Sequence, residues 1–194
     1  VLKVIAASPA DVQPVFDAIA SSSRRLLGGF STTVFRILDG VLHLVAFTET
    51  NAEADATLQT TFPRPIADFP AFAMVREGQT ARIEDTEADA GVPEMMRELA
   101  RQRGYRSMLF TPLVREGAVI GMIGVTRVEP GMWAEHHAQL LRTFADQAVI
   151  AIENSRLFNE TREALEQQRA SADVLSVISN SVADSAPVFQ AIVQ

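Results

Sequence analysis

Three histidines and no cysteine set the limits of the chemistry open to this chain. Without a thiolate there is no sulfur nucleophile, no thiolate-held metal, no disulfide frame and no thioether-linked cofactor. His136 and His137 are adjacent at an expected helix start, so their side chains point about 100° apart, not stacked as ligands at i and i+4 would be. They make no metal pair, and nothing around them resembles a kinase phosphoacceptor helix. His43 falls opposite Arg36 in the hairpin described below. It is the one candidate for a haem ligand, with no second residue to recommend haem; otherwise it reads as an ordinary strand histidine. No set of nucleophile, base and orienting group emerges from the rest, which points away from an enzyme.

The balance of 47% hydrophobic and 21% charged residues over 194 positions suits one well-packed domain with a substantial extra element. A net charge of -7 argues against a phosphate-neutralising surface, so nucleic acid is not an expected partner. The apolar stretch at 148–152 is far too short to cross a bilayer and no signal-peptide pattern opens the chain, so we expect a cytoplasmic location without membrane insertion.

The elements that must position these side chains are legible. Asp11 can cap a helix start and Pro14 follows in the first turn, where a missing N–H costs least. Val15, Ile19, Leu26 and Leu27 then recur at roughly helical spacing up to Gly28-Gly29. Residues 30–48 form two β-rich runs around Asp39-Gly40, the dipeptide suited to a type I′ turn. That turn sets the register: Leu38 pairs with Val41, Ile37 with Leu42, Arg36 with His43 and Phe35 with Leu44. Phe35, Ile37, Leu42 and Leu44 share one face, and Arg36 and His43 share the other with Val34 and Val45. Pro70 and Gly78 bracket a short helix carrying Phe72 and Val75; Pro93 and Gly104 bracket another carrying Met95, Met96 and Leu99. A short strand, 81–84, lies between them. Residues 107–127 give a second hairpin turning at 115–117, in which Gly121 and Gly124 mark close packing by a helix or a ligand. From Ala134 to Ala186 there is neither glycine nor proline, so a long helix is expected. Phe144, Ala151, Phe158 and Leu165 recur every seven residues along it, while polar positions such as Arg162 interrupt the companion seam of a coiled coil. Its first half can pack on the sheet; beyond about Phe158 it projects, and a parallel homodimer through the terminal helices would cover its apolar spots.

The chain also repeats itself. At an offset of 173 positions, Val1, Leu2, Val4, Ile5, Ser8, Ala10, Asp11, Pro14, Val15, Phe16, Ala18 and Ile19 meet identical residues without a gap. We therefore expect a piece of a longer modular protein: the end of an incoming linker helix at 1–10, one complete domain at 11–158, a linker helix at 159–183, and at 184–194 the start of a second module, with a helix beginning near Asp184. Separated from a sheet of its own, that last segment should be disordered or docked on another copy.

The segments ARIED (81–85), GYRSMLFTPLVREGAVIGMIGVTR (104–127) and LLRTFADQAVIAIENSRLFNETREALEQQ (140–168) together resemble the GAF domain, a small-molecule sensor module of bacterial signalling proteins and phosphodiesterases. The resemblance covers about Asp11 to Phe158. It implies an α+β, profilin-like fold: a central antiparallel sheet of about six strands, helices on both faces and a long C-terminal signalling helix. It also implies a pocket beneath the helices of the 51–104 region, lined by Phe72, Asp85, Met95, Met96, Tyr105, Arg106, Ser107, Leu109 and Thr111. Arg106 either pairs with an anionic ligand or with Asp85 or Glu84, and the Met and Phe residues either line a pocket or fill a core. No bilin-attachment cysteine is present, the cysteines of the methionine-sulfoxide-reducing members are missing, and the Asn-Lys-Phe-Asp-Glu signature of cyclic-nucleotide-binding members has no counterpart; no cofactor is therefore expected. The resemblance implies a non-catalytic regulatory module, one of several in tandem, acting through its C-terminal helix on an output domain of histidine-kinase type. The alternatives are a dimerising spacer without ligand and a regulatory domain of a nucleotide cyclase.

Overall fold

The computed structural model describes residues 11–192, with side chains through 175; the expected incoming helix at 1–10 lies outside the described residues. Helix α1 (Gln13–Leu26) opens where the Asp11 carboxylate accepts the Gln13 backbone N–H at 2.9 Å, with Pro14 in its first turn. It ends at Gly28, whose φ of 61° an L side chain adopts only under strain. Val15, Phe16, Ile19, Ala20, Ser23 and Leu27 form its buried face. Leu26, expected among them, is 58% exposed, because Leu27 is the residue that completes the row of threes and fours through Phe16, Ala20 and Ser23.

Strands β1 (Ser31–Leu38) and β2 (Val41–Phe47) pair in the expected register around Asp39 and Gly40, both at positive φ. Between Val34 and Phe35 the ladder slips by one, so Val45 and Ala46 stand together opposite Val34. Then follow α2 (Ala52–Thr61), capped by the Asn51 side chain, a two-residue strand β3 (Arg64–Pro65), two 3₁₀ turns, α3 (Ala73–Arg76), β4 (Ala81–Ile83) and α4 (Glu94–Arg103). The second hairpin is β5 (Ser107–Arg115) and β6 (Ala118–Arg127), turning at Glu116-Gly117. The sheet order is β3-β2-β1-β6-β5-β4, antiparallel throughout.

Period-two alternation divides the apolar residues between two cores. On one face α1 and the long helix α5 (Glu135–Ile192) pack over Val34, Leu109, Leu113, Ile123 and Val125; on the other, the helices and turns between β2 and β5 pack over Phe35, Leu42, Met108, Phe110 and Met122. Both faces of the first hairpin are thus used, since Val34 and Ala46 join the α1–α5 core.

Gly121 and Gly124 are packed by neighbouring strands, not by a helix or a ligand. A Cβ at Gly121 would overlap the Phe35 carbonyl oxygen and come within 2.9 Å of Leu113 Cδ1; one at Gly124 would overlap the Phe110 ring. At Gly121 the obstacle is backbone held in the β1–β6 ladder, so it cannot swing aside. Gly121→Ala is accordingly expected to cost about 3 kcal/mol, the upper end of the overpacking range, read from the urea midpoint at unchanged m-value.

Helix α5 is fixed to the sheet by Ala138, Leu141, Phe144, Ala145, Ala148, Ala151 and Ile152, and every side chain from Leu157 to Leu175 is exposed. The seven-residue row therefore changes character along its length: Phe144 and Ala151 are core, while Phe158 and Leu165 are 42% and 46% exposed. The backbone stays helical through 184 and 187 to Ile192, so the helix expected to start at Asp184 is not a separate element. Among the described residues there is a single sheet.

Candidate functional site

The interior beneath α2, α3 and α4, where the sequence leads us to expect a pocket, is filled by phenylalanine. Phe35, Phe62, Phe69, Phe72 and Phe110 form a continuous row with successive ring centroids at 4.7, 5.7, 5.4 and 4.5 Å, stacked or tilted as aromatic pairs prefer. Met95 and Met96 from α4 and Leu58 from α2 close over it. What remains is a cavity of about 30 Å³, room for about one water, where ligand pockets run to roughly 300–1,000 Å³.

The polar boundary of this interior is Arg103, whose side chain is 1% exposed. It is ion-paired with Asp55, donates to the Thr48 carbonyl at 3.2 Å and stacks over the Phe47 ring at 5.8 Å. Asp55 in turn accepts the Thr50 N–H and hydroxyl, each at 2.9 Å. The sequence positions Arg103 through the end of α4, where Gly104 at φ 82° lets the Gly104 and Tyr105 amides bond back to the Ala100 carbonyl at 2.8 and 3.0 Å. The same turn buries Tyr105 against the cavity, where burial pushes its phenol up to about 12, against the opposing pull of Arg103.

Of the nine residues expected at the pocket, Phe72, Met95, Met96 and Tyr105 line it. Ser107, Leu109 and Thr111 do not: they lie on the α5 side of β5, Leu109 in that core, Ser107 donating to the Glu129 carbonyl at 3.0 Å and Thr111 bonded to Thr80 at 3.3 Å. The pleat makes Met108 and Phe110 the inward residues. Arg106 and Asp85 face each other in a two-point ion pair at 2.9 and 2.6 Å, and neither lines the cavity. Those hydrogen bonds from Arg106, with the Glu87 N–H, hold the Asp85 carboxylate below its ordinary range. His43 lies on the outer strand β2 and does not line this interior either. The sequence reading missed Arg103, Asp55 and four of the five phenylalanines of the row.

A second cluster joins the sheet to α5. Thr126 faces the cavity; its neighbour Arg127 faces the other way, with its guanidinium carbon 3.8 Å from the centre of the buried Trp133 ring and a nitrogen 3.1 Å from His137 Nε2. Burial first, then the Arg127 and His136 charges, lower the His137 pKa. The folded protein therefore binds fewer protons here than the unfolded chain, and this contribution is lost as pH falls through about 6.5 toward the lower folded value. Arg127→Gln is expected to raise the His137 pKa toward its ordinary value and to flatten that segment of the stability–pH curve, as followed by imidazole NMR titration and urea melts.

Among the described residues no group of His, Asp and Glu could hold a metal ion, and no helix is long and apolar enough to cross a membrane.

The sequence model for the GAF domain matches residues 11–152. No curated protein sequence matches the chain. Solved structures do. A domain described as coming from a two-component sensor histidine kinase protein of Sinorhizobium meliloti 1021 superposes with a TM-score of 0.65 at 19% identity, covering 78% of this chain and 97% of its own. The GAF domain/HD domain protein from Geobacter sulfurreducens gives 0.68 at 18% identity, covering 77% and 97%. The photoproduct state of GAF3 from Slr1393 of Synechocystis sp. PCC6803 gives 0.65 at 20% identity, covering 78% and 99%. At these identities the likeness establishes the shared fold.

Proposed function

Because the chain belongs to the GAF domain family, we propose that it is a non-catalytic regulatory module that pairs with a second copy through α5 and biases an output domain of histidine-kinase class along that helix. The observation that carries this reading is the division of α5 into a half bound to the sheet and a half whose apolar residues Leu157, Phe158, Leu165, Val174 and Leu175 are all exposed. Phe158, Leu165 and Ala172 make one seam of a two-stranded coil; Thr161, Gln168 and Leu175 make the other. Beside the seam stand Arg162 and Arg169. An antiparallel partner would set these arginines against each other, whereas a parallel one sets them beside Leu157 and Ala164, so the parallel pairing is favoured. It also brings both domains to the same end, as a symmetrical relay requires.

Sedimentation at tens of micromolar should show a dimer, and Phe158→Lys with Leu165→Lys should dissociate it while the circular dichroism of the domain's own thermal transition is retained. A wild-type monomer under those conditions would count decisively against the proposal.

A second reading, sensing of a small apolar molecule in the phenylalanine-lined interior, is favoured by the cavity between the rings and the Thr126–Arg127 step that links its wall to α5. It requires the row to part. A thermal-shift panel of metabolites, nucleotides and haem tests it, because a ligand that binds only the native state raises apparent stability.

A further inference from the structure

We infer that the outer edge of β2 is a docking site for an extended peptide segment in which basic and apolar residues alternate. This site shares only the Phe62 ring with the phenylalanine-filled interior and is separate from the α5 seam. Strand β3 covers β2 only at Val41 and Leu42, and among the described residues no strand lies outside positions 43–47. Pro63 and Pro65 lack the N–H groups that would let the chain continue the ladder. Along the uncovered stretch the surface opens into a groove of about 500 Å³ lined by every residue from His43 to Phe47.

The two walls differ, and the difference specifies the occupant. On the α1 side the groove presents Asp17 and the Gln13 amide, which donates to the Val45 carbonyl at 2.7 Å and to Asp17 at 3.1 Å. Gln13 thus already satisfies one edge acceptor in the manner a backbone N–H would. On the opposite side Phe62 and Pro63 offer an apolar wall. Glu49 stands at the far end, and no Lys or Arg lines the groove. An added strand alternates its side chains between the walls, so basic residues meet Asp17 and Glu49 while apolar ones meet Phe62. Main-chain bonds supply affinity and the alternate side chains supply selection, as in other strand-addition sites. A second copy of this chain fits less well: edge-to-edge pairing about a two-fold axis would bring two sets of exposed carboxylates together, and like charges facing across paired strands are destabilising.

The test uses the 194-residue chain and two fluorescein-labelled peptides, Lys-Val-Arg-Val-Lys-Val and Glu-Val-Glu-Val-Glu-Val. Fluorescence anisotropy at low salt should show saturable binding of the basic peptide only, weakened at least tenfold in Asp17→Lys/Glu49→Lys; both positions are exposed, so folding should be retained. Hydrogen exchange should slow at residues 43–47 on binding and not elsewhere on the sheet. Absence of binding, binding unchanged by the charge reversals, or protection at other residues overturns the proposal. So does concentration-dependent self-association that protects the same amides without peptide, which would make a second copy the occupant.

Discussion

Phe72→Ala is expected to cost about 3–5 kcal/mol, and to turn the closed interior into a site that accepts a small aromatic molecule. Phe72 is 2% exposed and sits in the phenylalanine row between Phe69 at 5.4 Å and Phe110 at 4.5 Å. Its removal takes away a large buried apolar surface and leaves a void that strands and helices on both sides hold open. Apolar cavities of about 150 Å³ stay dry and bind benzene-sized guests. The variant should therefore gain thermal stability with benzene or indole while the wild type does not. A wild-type shift of equal size would mean that the row parts on its own, which favours the sensing reading over the filled one. The measurement is a pair of urea melts and a pair of thermal-shift series.

The second large effect concerns the buried ion pair. Breaking such a pair by removing one partner typically costs about 3–5 kcal/mol, but the two truncations should differ. Without Arg103, Asp55 still accepts two hydrogen bonds from Thr50; without Asp55, Arg103 keeps the Thr48 carbonyl and the Phe47 ring in a site from which water is excluded. Asp55→Ala should thus be the more damaging change, near the upper figure, and Arg103→Met the milder. Because the penalty of each single change is chiefly the charge left behind, the double variant should lose less than the sum of the two. Additive losses in a double-mutant cycle of urea midpoints would show instead that the two residues act independently.

Local signals made much of this architecture readable, and the limits of that reading follow from range. Asp39-Gly40 specified a turn, the turn specified a register, and the register held at four pairs before the slip at Val34 that no dipeptide announces. Pro93 and Gly104 bounded α4 for the same local reason. The site was harder. Choosing Leu109 and Thr111 as inward residues required knowing which face of β5 the helices cover, and a strand buried on both faces carries no alternation to tell; burial runs unbroken from Ser107 to Leu113. The Arg103–Asp55 pair joins two helices 48 positions apart, so nothing in either neighbourhood points to the other. The phenylalanine row gathers residues from β1, the end of α2, the turns after β3 and β5, each of which reads alone as an ordinary core position.

One consequence of α5 is mechanical. Its attachment to the sheet ends at Ile152, and at 1.5 Å per residue the helix reaches Leu175 about 35 Å further on. A tilt of about 5° about that fulcrum carries Leu175 sideways by about 3 Å, while the root of the helix at Glu135, about 25 Å on the other side, moves by about 2 Å. An adjustment of about 2 Å at the sheet-bound root would thus arrive at the far end enlarged and directed sideways, changing the separation from whatever lies beside the exposed half of the helix.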